Sequence, residues 1–312
     1  MAPSIEKYRQ ITRNIGVLCD YTNVGVITTP QGIYLMDPGG TVDTGKEIID
    51  ALSKLFPGKE VEGIFLTHAH TDHTGGIPPI LETFSSTVYA GKTTACFLEV
   101  PQAIGYIYSG SKPGKEMGAK EFVMDDSVKT DIILADGQEI DLGSAIVKTI
   151  DLPGHCPGMT GFIVEDKDEG KKSFFLGDAF FGMKMLSKIW IPFILSPKEF
   201  RKSIEKIERT ASDFYVPAHG EISTMETAGC VAEHNIMITY ELEDLILKLI
   251  EKGNMGNDAL VEAIANYAGM KMKSVNYFLI LCTVKSYLSS LEEDGKIENY
   301  MENNRLTWRL KK

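Results

Sequence analysis

The sequence predicts an α/β fold: two sheets packed between outer layers of helices, an αββα sandwich, followed by a small winged-helix-like α+β domain. Three observations carry this expectation. Short apolar strands come in two batches, each followed by helical segments, which implies two sheets covered by helix layers. The first batch opens with runs at 15–18, 24–28 and 33–36, separated by Asn/Gly and Pro-Gln-Gly turns, the spacing of an antiparallel meander. Near Met225 the composition changes, and beyond it helices dominate until a last hairpin. The expected domains are therefore residues 1–228 and 229–312.

After the meander, residues 44–55 show helical periodicity through Ile48, Ile49, Leu52 and Leu55 and stop at Pro57-Gly58. A buried strand follows at 61–66, then a helix at 77–84, a strand at 87–90 and a helix at 92–100. Residues 101–130 contain Gly105, Gly110, Pro113, Gly114 and Gly118 and read as an irregular excursion. The second batch of strands falls at 132–135, 139–142, 145–150, 161–164 and 173–176, with an amphipathic helix at 197–209 and a last strand at 214–216. The C-terminal part reads as helices at 240–252, 257–267 and 274–293, then strands at 296–300 and 305–310 around the turn Glu302-Asn303-Asn304.

Hydrophobic residues make up 43% and charged residues 24% of the 312, an ordinary globular composition. The net charge of −11 repels phosphate backbones and counts against nucleic acid as a partner. Five scattered cysteines with no CxxC favour a reducing compartment. Residues 1–10 carry charges and no apolar stretch, and no apolar run is long enough to span a bilayer, so a cytoplasmic protein without membrane attachment is expected.

The chemistry concentrates in Thr67-His68-Ala69-His70-Thr71-Asp72-His73-Thr74-Gly75-Gly76, directly after the strand at 61–66. Imidazole is the commonest metal ligand near neutral pH, and a carboxylate in the same turn adds a hard oxygen. Gly75-Gly76 lets the backbone fold closely beneath such a site. Three later fragments repeat the theme of a strand ending in a titratable side chain: Pro153-Gly154-His155, Gly177-Asp178 and Pro217-Ala218-His219-Gly220. A lone histidine after a strand is more often structural, but three such tips together with HxHxDH form a constellation. His234 matches none of these motifs and reads as a surface or packing residue.

In this order the motifs resemble those of the metallo-β-lactamase superfamily, over about residues 10–225. The resemblance implies two divalent ions, zinc first, with iron or manganese open. His68, His70 and His155 would hold one, Asp72, His73 and His219 the other, and Asp178 would bridge them. Asp37 matches an early aspartate that supports the histidine loop from behind. True β-lactamases of this fold typically carry cysteine or serine at the bridging aspartate, so Asp178 argues against antibiotic hydrolysis. His70 stands where flavodiiron oxygen reductases carry glutamate, and Cys156, where relatives commonly have threonine, is expected to pack rather than ligate. The pattern looks closest to glyoxalase II-like and lactonase-like hydrolases.

These features imply a metal-dependent hydrolase of small acyl substrates, thioester or lactone. A hydroxide shared by the two ions would attack the carbonyl, and Asp72 would orient it and receive its proton. The segment 180–193, with Trp190 foremost, is a candidate pocket wall or core. One alternative is a phosphodiesterase or RNase, for which Lys112, Lys115 and Lys120 are the only nearby cations. Another is a transcriptional regulator reading DNA through the winged helix. Residues 229–312 hold ten Lys/Arg against twelve Asp/Glu, and the helix at 274–293 offers only Lys285 before it turns acidic, which disfavours DNA readout. The same helix is apolar over much of its circumference, so a homodimer or a tail docked beside the active site is expected.

Overall fold

The computed structural model describes residues 5–311. Residues 1–4, part of the charged N-terminal stretch, and Lys312, one of the tail cations, lie outside that range. Strands β1 (Tyr8–Gln10), β2 (Ile15–Leu18), β3 (Val24–Thr28) and β4 (Ile33–Met36) form the antiparallel start of the first sheet. Helix α1 (Val42–Leu55) crosses over to β5 (Val61–Leu66). The short α2 (Thr71–Thr74) and α3 (Ile77–Thr83) lead to β6 (Thr87–Gly91), and α4 (Lys92–Glu99) and α5 (Gln102–Ser109) precede β7 (Ile132–Leu134). From β4 to β7 neighbours are parallel, and the sheet order follows the chain.

The second sheet contains β8 (Glu139–Asp141), β9 (Ala145–Asp151), β10 (Thr160–Asp166) and β11 (Lys171–Gly177). After α6 (Met183–Leu186) and α7 (Pro197–Arg209) come β12 (Phe214–Pro217) and β13 (Ser223–Thr224). Only β11 and β12 run parallel. Helices α8 (Met225–Lys252), α9 (Asn257–Tyr267) and α10 (Ser274–Glu293) and the hairpin β14 (Ile297–Glu302)–β15 (Arg305–Leu310) complete the chain. Asn303 and Asn304 turn the hairpin with φ of 48° and 61°, a region asparagine tolerates better than most residues.

Central strands covered on both faces need apolar side chains on both, which explains their near-continuous hydrophobic runs. Successive residues point to opposite faces. Phe65 of β5 and Phe175 of β11 therefore enter the core between the sheets, where Phe65 meets Phe162 at a ring separation of 5.5 Å. Their neighbours Ile64 and Phe174 face outward, Ile64 under α1 and α3 and Phe174 under α7 and α8. This is the expected four-layer arrangement.

Four stretches differ from the sequence reading. The strand at 132–135, grouped with the second batch, is β7 and joins the first sheet beside β6. The excursion at 101–130 contains the helix α5, masked by its glycines, with Gly110 closing the helix at φ 64°. Strand β1 has no apolar run to announce it. Helix α8 starts fifteen residues before the expected 240, and the boundary placed at 228/229 falls inside it. The apolar pattern of its first half is broken by Gly229 and by the buried polar Asn235, although the helix itself is continuous. Asn235 is satisfied by the backbone of Phe181, accepting from its N–H at 3.0 Å and donating to its carbonyl at 2.9 Å.

The C-terminal part packs onto the sandwich through two faces of α10. Val284, Leu288 and Leu291 fill a core with α8 and α9, while Val275, Phe278 and Leu279 pack against the first outer core. Among the described residues, no helix is long and apolar enough to cross a membrane. One polar joint fastens α7, α8 and the hairpin together. Glu243 accepts from Arg201 Nη2 at 2.6 Å and from Lys296 Nζ at 2.7 Å, and Arg201 Nε donates to Thr239 Oγ1 at 2.8 Å. Burial alone would raise the Glu243 pKa, but the two cations outweigh it and hold the carboxyl below its usual range.

Removing the carboxylate would strand the mostly buried Arg201, so Glu243→Ala should cost about 3 kcal/mol in chemical denaturation. A carboxylate with a lowered folded-state pKa contributes stability that is complete above the ordinary glutamate range and is lost as pH falls through the lowered value. The gap between wild type and Glu243→Ala should therefore narrow on acidification; a gap that widens would contradict this assignment.

Candidate metal centre

Both sheets end at one place, and the titratable side chains stand on those ends. His68, His70, Asp72 and His73 follow β5 and enter α2, His155 lies between β9 and β10, and Asp178 and His219 follow β11 and β12. The turn after β5 is sharp because Gly75 and Gly76 press on the backbone of Gly40 and Pro38, where any Cβ would collide with a carbonyl oxygen. The close approach expected of this glycine pair is present.

Two clusters form. In the first, His68 Nε2 and His155 Nε2 each lie 2.9 Å from His70 Nδ1. In the second, His219 Nε2 lies 3.1 Å and His73 Nε2 3.8 Å from Asp72 Oδ2. Asp178 sits between them: Oδ2 is 3.4 Å from His155 Nε2, and Oδ1 is 3.5 Å from both His73 Nε2 and His219 Nε2. All seven expected side chains are thus brought together, and His234 stays apart, half-buried on α8.

The outward nitrogens explain why the inward ones converge. His155 Nδ1–H donates to the Phe193 carbonyl at 2.8 Å and His219 Nδ1–H to the Tyr21 carbonyl at 2.6 Å. His73 Nδ1–H donates to Asp37 Oδ2 at 3.0 Å. His68 Nδ1 lies 3.0 Å from Thr67 Oγ1, whose hydroxyl donates to Asp37 Oδ2 at 2.6 Å, while the Thr67 N–H donates to Asp37 Oδ1 at 2.9 Å. His70 is turned the other way, with Nε2 against the Tyr108 hydroxyl.

Charge divides the clusters. Burial and neighbouring imidazoles push His68 and His155 well below their ordinary pKa, and burial takes His70 down to about 4, so three neutral imidazoles face one another. Burial also disfavours the charged His73, but Asp72, Asp178 and Asp37 outweigh it and lift this imidazole to about 10. His219 is raised by Asp178 and Asp72 against its own burial. Asp72, although partly buried, is held well below the carboxylate range by His73 and His219, whereas burial raises Asp178.

Two buried atoms in the middle, His73 Nε2 and Asp178 Oδ1, have no hydrogen-bond partner. An orphaned nitrogen and an orphaned carboxylate oxygen, among five inward imidazoles and two inward carboxylates, fit divalent cations. The groups able to hold an ion include His68, His73 and Asp178; Asp72, His73 and His219; and His68, His70 and His155 with Cys156. Cys156 is buried beside this cluster, and burial pushes its thiol pKa well above the ordinary value.

The site opens into a cavity of about 730 Å³. Part of the segment expected as wall or core does line it, including Phe181, Met185, Trp190 and Phe193, while Phe180 is core. Helix α10 adds Asn276, Leu279, Ile280 and Thr283. Lys188 is the one cation among the lining residues, and Lys112, Lys115 and Lys120 are not among them. Sequence reasoning missed Tyr108, which a glycine-rich stretch gave no reason to single out, and the carbonyls of Tyr21 and Phe193, which carry no residue signature.

Residues 17–219 match the family model of the metallo-β-lactamase superfamily, and the chain belongs to that superfamily of metal-dependent hydrolases. It is similar to an atrochrysone carboxyl ACP thioesterase of Emericella nidulans, with 21% identity over 289 residues that cover 92% of this chain and 79% of that protein. A hydroxyacylglutathione hydrolase of Shewanella pealeana is 30% identical over 153 residues, 48% of this chain and 43% of that protein. A solved β-lactamase domain protein from Burkholderia ambifaria has a TM-score of 0.73 at 14% identity and covers 99% of this chain and 94% of that one, so the fold likeness extends through the C-terminal helices.

Asp37 accepts three hydrogen bonds in a buried place, so Asp37→Ala leaves three donors without an acceptor. The chelator-treated variant should lose about 3 kcal/mol of stability in urea titration against equally treated wild type. An unchanged midpoint would show that Asp37 does not hold the loop.

Proposed function

We propose that this chain hydrolyses thioesters of apolar acyl groups with two divalent ions, zinc first. His68, His70 and His155 would hold one ion, Asp72, His73 and His219 the other, and Asp178 would lie between them. The observation that carries this reading is the cavity, because its wall is mostly apolar, reaches the His/Asp cluster and carries a single lysine. Similarity to a thioesterase along most of the chain supports thioesters before lactones. A polyanionic nucleic acid would meet Asp20, Glu121 and one cation there, so the phosphodiesterase and DNA-regulator alternatives draw no support from the cavity.

Bound divalent ions would supply Lewis acidity, making water a better nucleophile near neutral pH and polarising a carbonyl. The protein's own groups position and shield the reaction. Asp72, with 36% of its side chain exposed, orients the attacking water and takes its proton. That proton then goes to the sulfur as the C–S bond breaks. Tyr108, Phe181 and Phe193 keep bulk water from the His70/His155 side, where an acyl group would lie. Asp37 and the Phe193 and Tyr21 carbonyls keep three of the rings from turning away.

Zinc-reconstituted protein should contain close to two equivalents of metal and turn over acyl thioesters faster than lactones, phosphodiesters or β-lactams, with activity lost to a chelator and restored by zinc. One equivalent at saturation would sink the two-ion reading, and faster phosphodiester cleavage would sink the substrate class. Asp178→Asn removes the charge shared by both clusters. It should weaken binding of both ions and lower turnover on the order of 100-fold while circular dichroism stays unchanged. Near-wild-type turnover with both metals retained would contradict its place between them.

A further inference from the structure

The two sides of the cluster differ in chemistry. His70 and His155 are flanked by aromatic rings: His70 by Tyr108 and Phe193, each at 5.8 Å, and His155 by Phe193 at 5.6 Å and Phe181 at 6.1 Å. Asp72 and His219 are flanked by loops of the first sheet. Thr22 Oγ1–H donates to the Asp72 carbonyl at 2.9 Å, the Tyr21 ring lies 4.8 Å from His219, and Gly40 packs against the Asp72 backbone. Tyr21, 67% exposed, stands with Asp20, Thr22, Thr41 and Thr44 on this part of the lining, so this side of the cavity is the more polar one.

The apolar side continues onto the C-terminal part. Leu279 and Ile280 of α10 and Met270 before it line the same cavity, with Phe122, Trp190 and Ile191. The one hydroxyl that α10 contributes, on Thr283, already accepts from the Ile194 N–H at 3.3 Å. Leu279 is only half-buried, so its side chain faces space that a ligand could fill. Around Leu279 and Ile280 the wall is apolar, with Asn276 one helical turn away and Thr283 buried, and an apolar wall beside open volume favours hydrocarbon.

We propose that α10 forms the acyl-chain subsite of this enzyme: the hydrocarbon part of the substrate lies along Leu279, Ile280, Met270 and Phe193 beside His70 and His155, and the thiol part leaves past Tyr21 and Thr22 beside Asp72 and His219. This rests on the thioester reading and adds to it a direction for the substrate and a residue that sets acyl length. Substrate selectivity then resides in the C-terminal helices, and the strand tips of the sandwich supply the chemistry. Each methylene buried along α10 raises affinity roughly fourfold until the wall ends.

The test uses the full-length, zinc-loaded chain and two readouts. Calorimetry measures binding of straight-chain carboxylates from acetate to dodecanoate, the products of the proposed reaction, and kcat/KM is measured for the matching acyl thioesters of a single thiol. Affinity should climb about fourfold per methylene to a limit. Leu279→Trp should move that limit to shorter chains and Leu279→Ala to longer ones, in binding and in kcat/KM alike. Should Leu279→Trp fail to fold by circular dichroism, Met270→Trp takes its place against Leu279→Ala. A uniform change at every chain length, or no change, overturns the subsite, since a merely structural effect would not move the limit in opposite directions. If the limit moves while no thioester is hydrolysed, the subsite stands and the thioester reading falls. If thioesters are hydrolysed with a limit that ignores residues 270 and 279, the reading stands and the subsite falls.

Discussion

Asp37 is the joint on which the site depends. It stands at the end of β4 with a φ of 51°, a left-handed conformation that costs a residue with a Cβ roughly 1–2 kcal/mol. Three hydrogen bonds to its carboxylate offset that cost, since bonds to a charged group contribute about 1.5–3 kcal/mol each. Two come from Thr67 and one from His73, so the end of β4 is tied to the end of β5 and to the first turn after it. The same carboxylate fixes His73 directly and His68 through the Thr67 hydroxyl. A strained backbone, a strand end and two inward imidazoles are therefore one arrangement.

That joint acts within the first sheet, and the second sheet must come to meet it. His155, Asp178 and His219 arrive on β9, β11 and β12, held at the right distance by the core between the sheets, with Phe65 stacked on Tyr89 and edge-on to Phe162. Close packing leaves this distance little freedom. Asp178 can present one oxygen to each cluster only because both sheets end at the same level.

Most of the sandwich and all seven side chains of the cluster were legible in the sequence, for a physical reason. Strands buried on both faces must be written in apolar residues, and histidine with aspartate at strand tips is the residue pairing that suits borderline divalent cations near neutral pH. What could not be read is what those rules leave unmarked. Helix α5 hides behind Gly105, where a Cβ would crowd Pro113, and the first half of α8 hides behind Asn235, whose polarity is matched only in three dimensions. The carbonyls of Tyr21 and Phe193 orient two imidazoles, yet any residue has a carbonyl. The apolar girth of α10 was visible and its need for burial followed, but which surfaces would cover it depends on the path of the chain.

The charge pattern gives the asymmetry its physical content. On one side, three imidazoles are kept neutral by burial and by one another, beside aromatic rings. On the other, Asp37, Asp72 and Asp178 surround His73 and lift its pKa to about 10 against its burial. A proton on Nε2 there has no acceptor in bonding geometry, and Asp178 Oδ1 has no donor. The second cluster thus holds more negative charge than its hydrogen bonds use, and the first holds more lone pairs than its protons use. Both imbalances are relieved by positive charge placed between them. The less polar cluster is also the one nearer the aromatic side of the cavity, where burying charge costs most, so neutral imidazoles on that side and Asp72 on the loop side are the arrangement with the smaller desolvation cost.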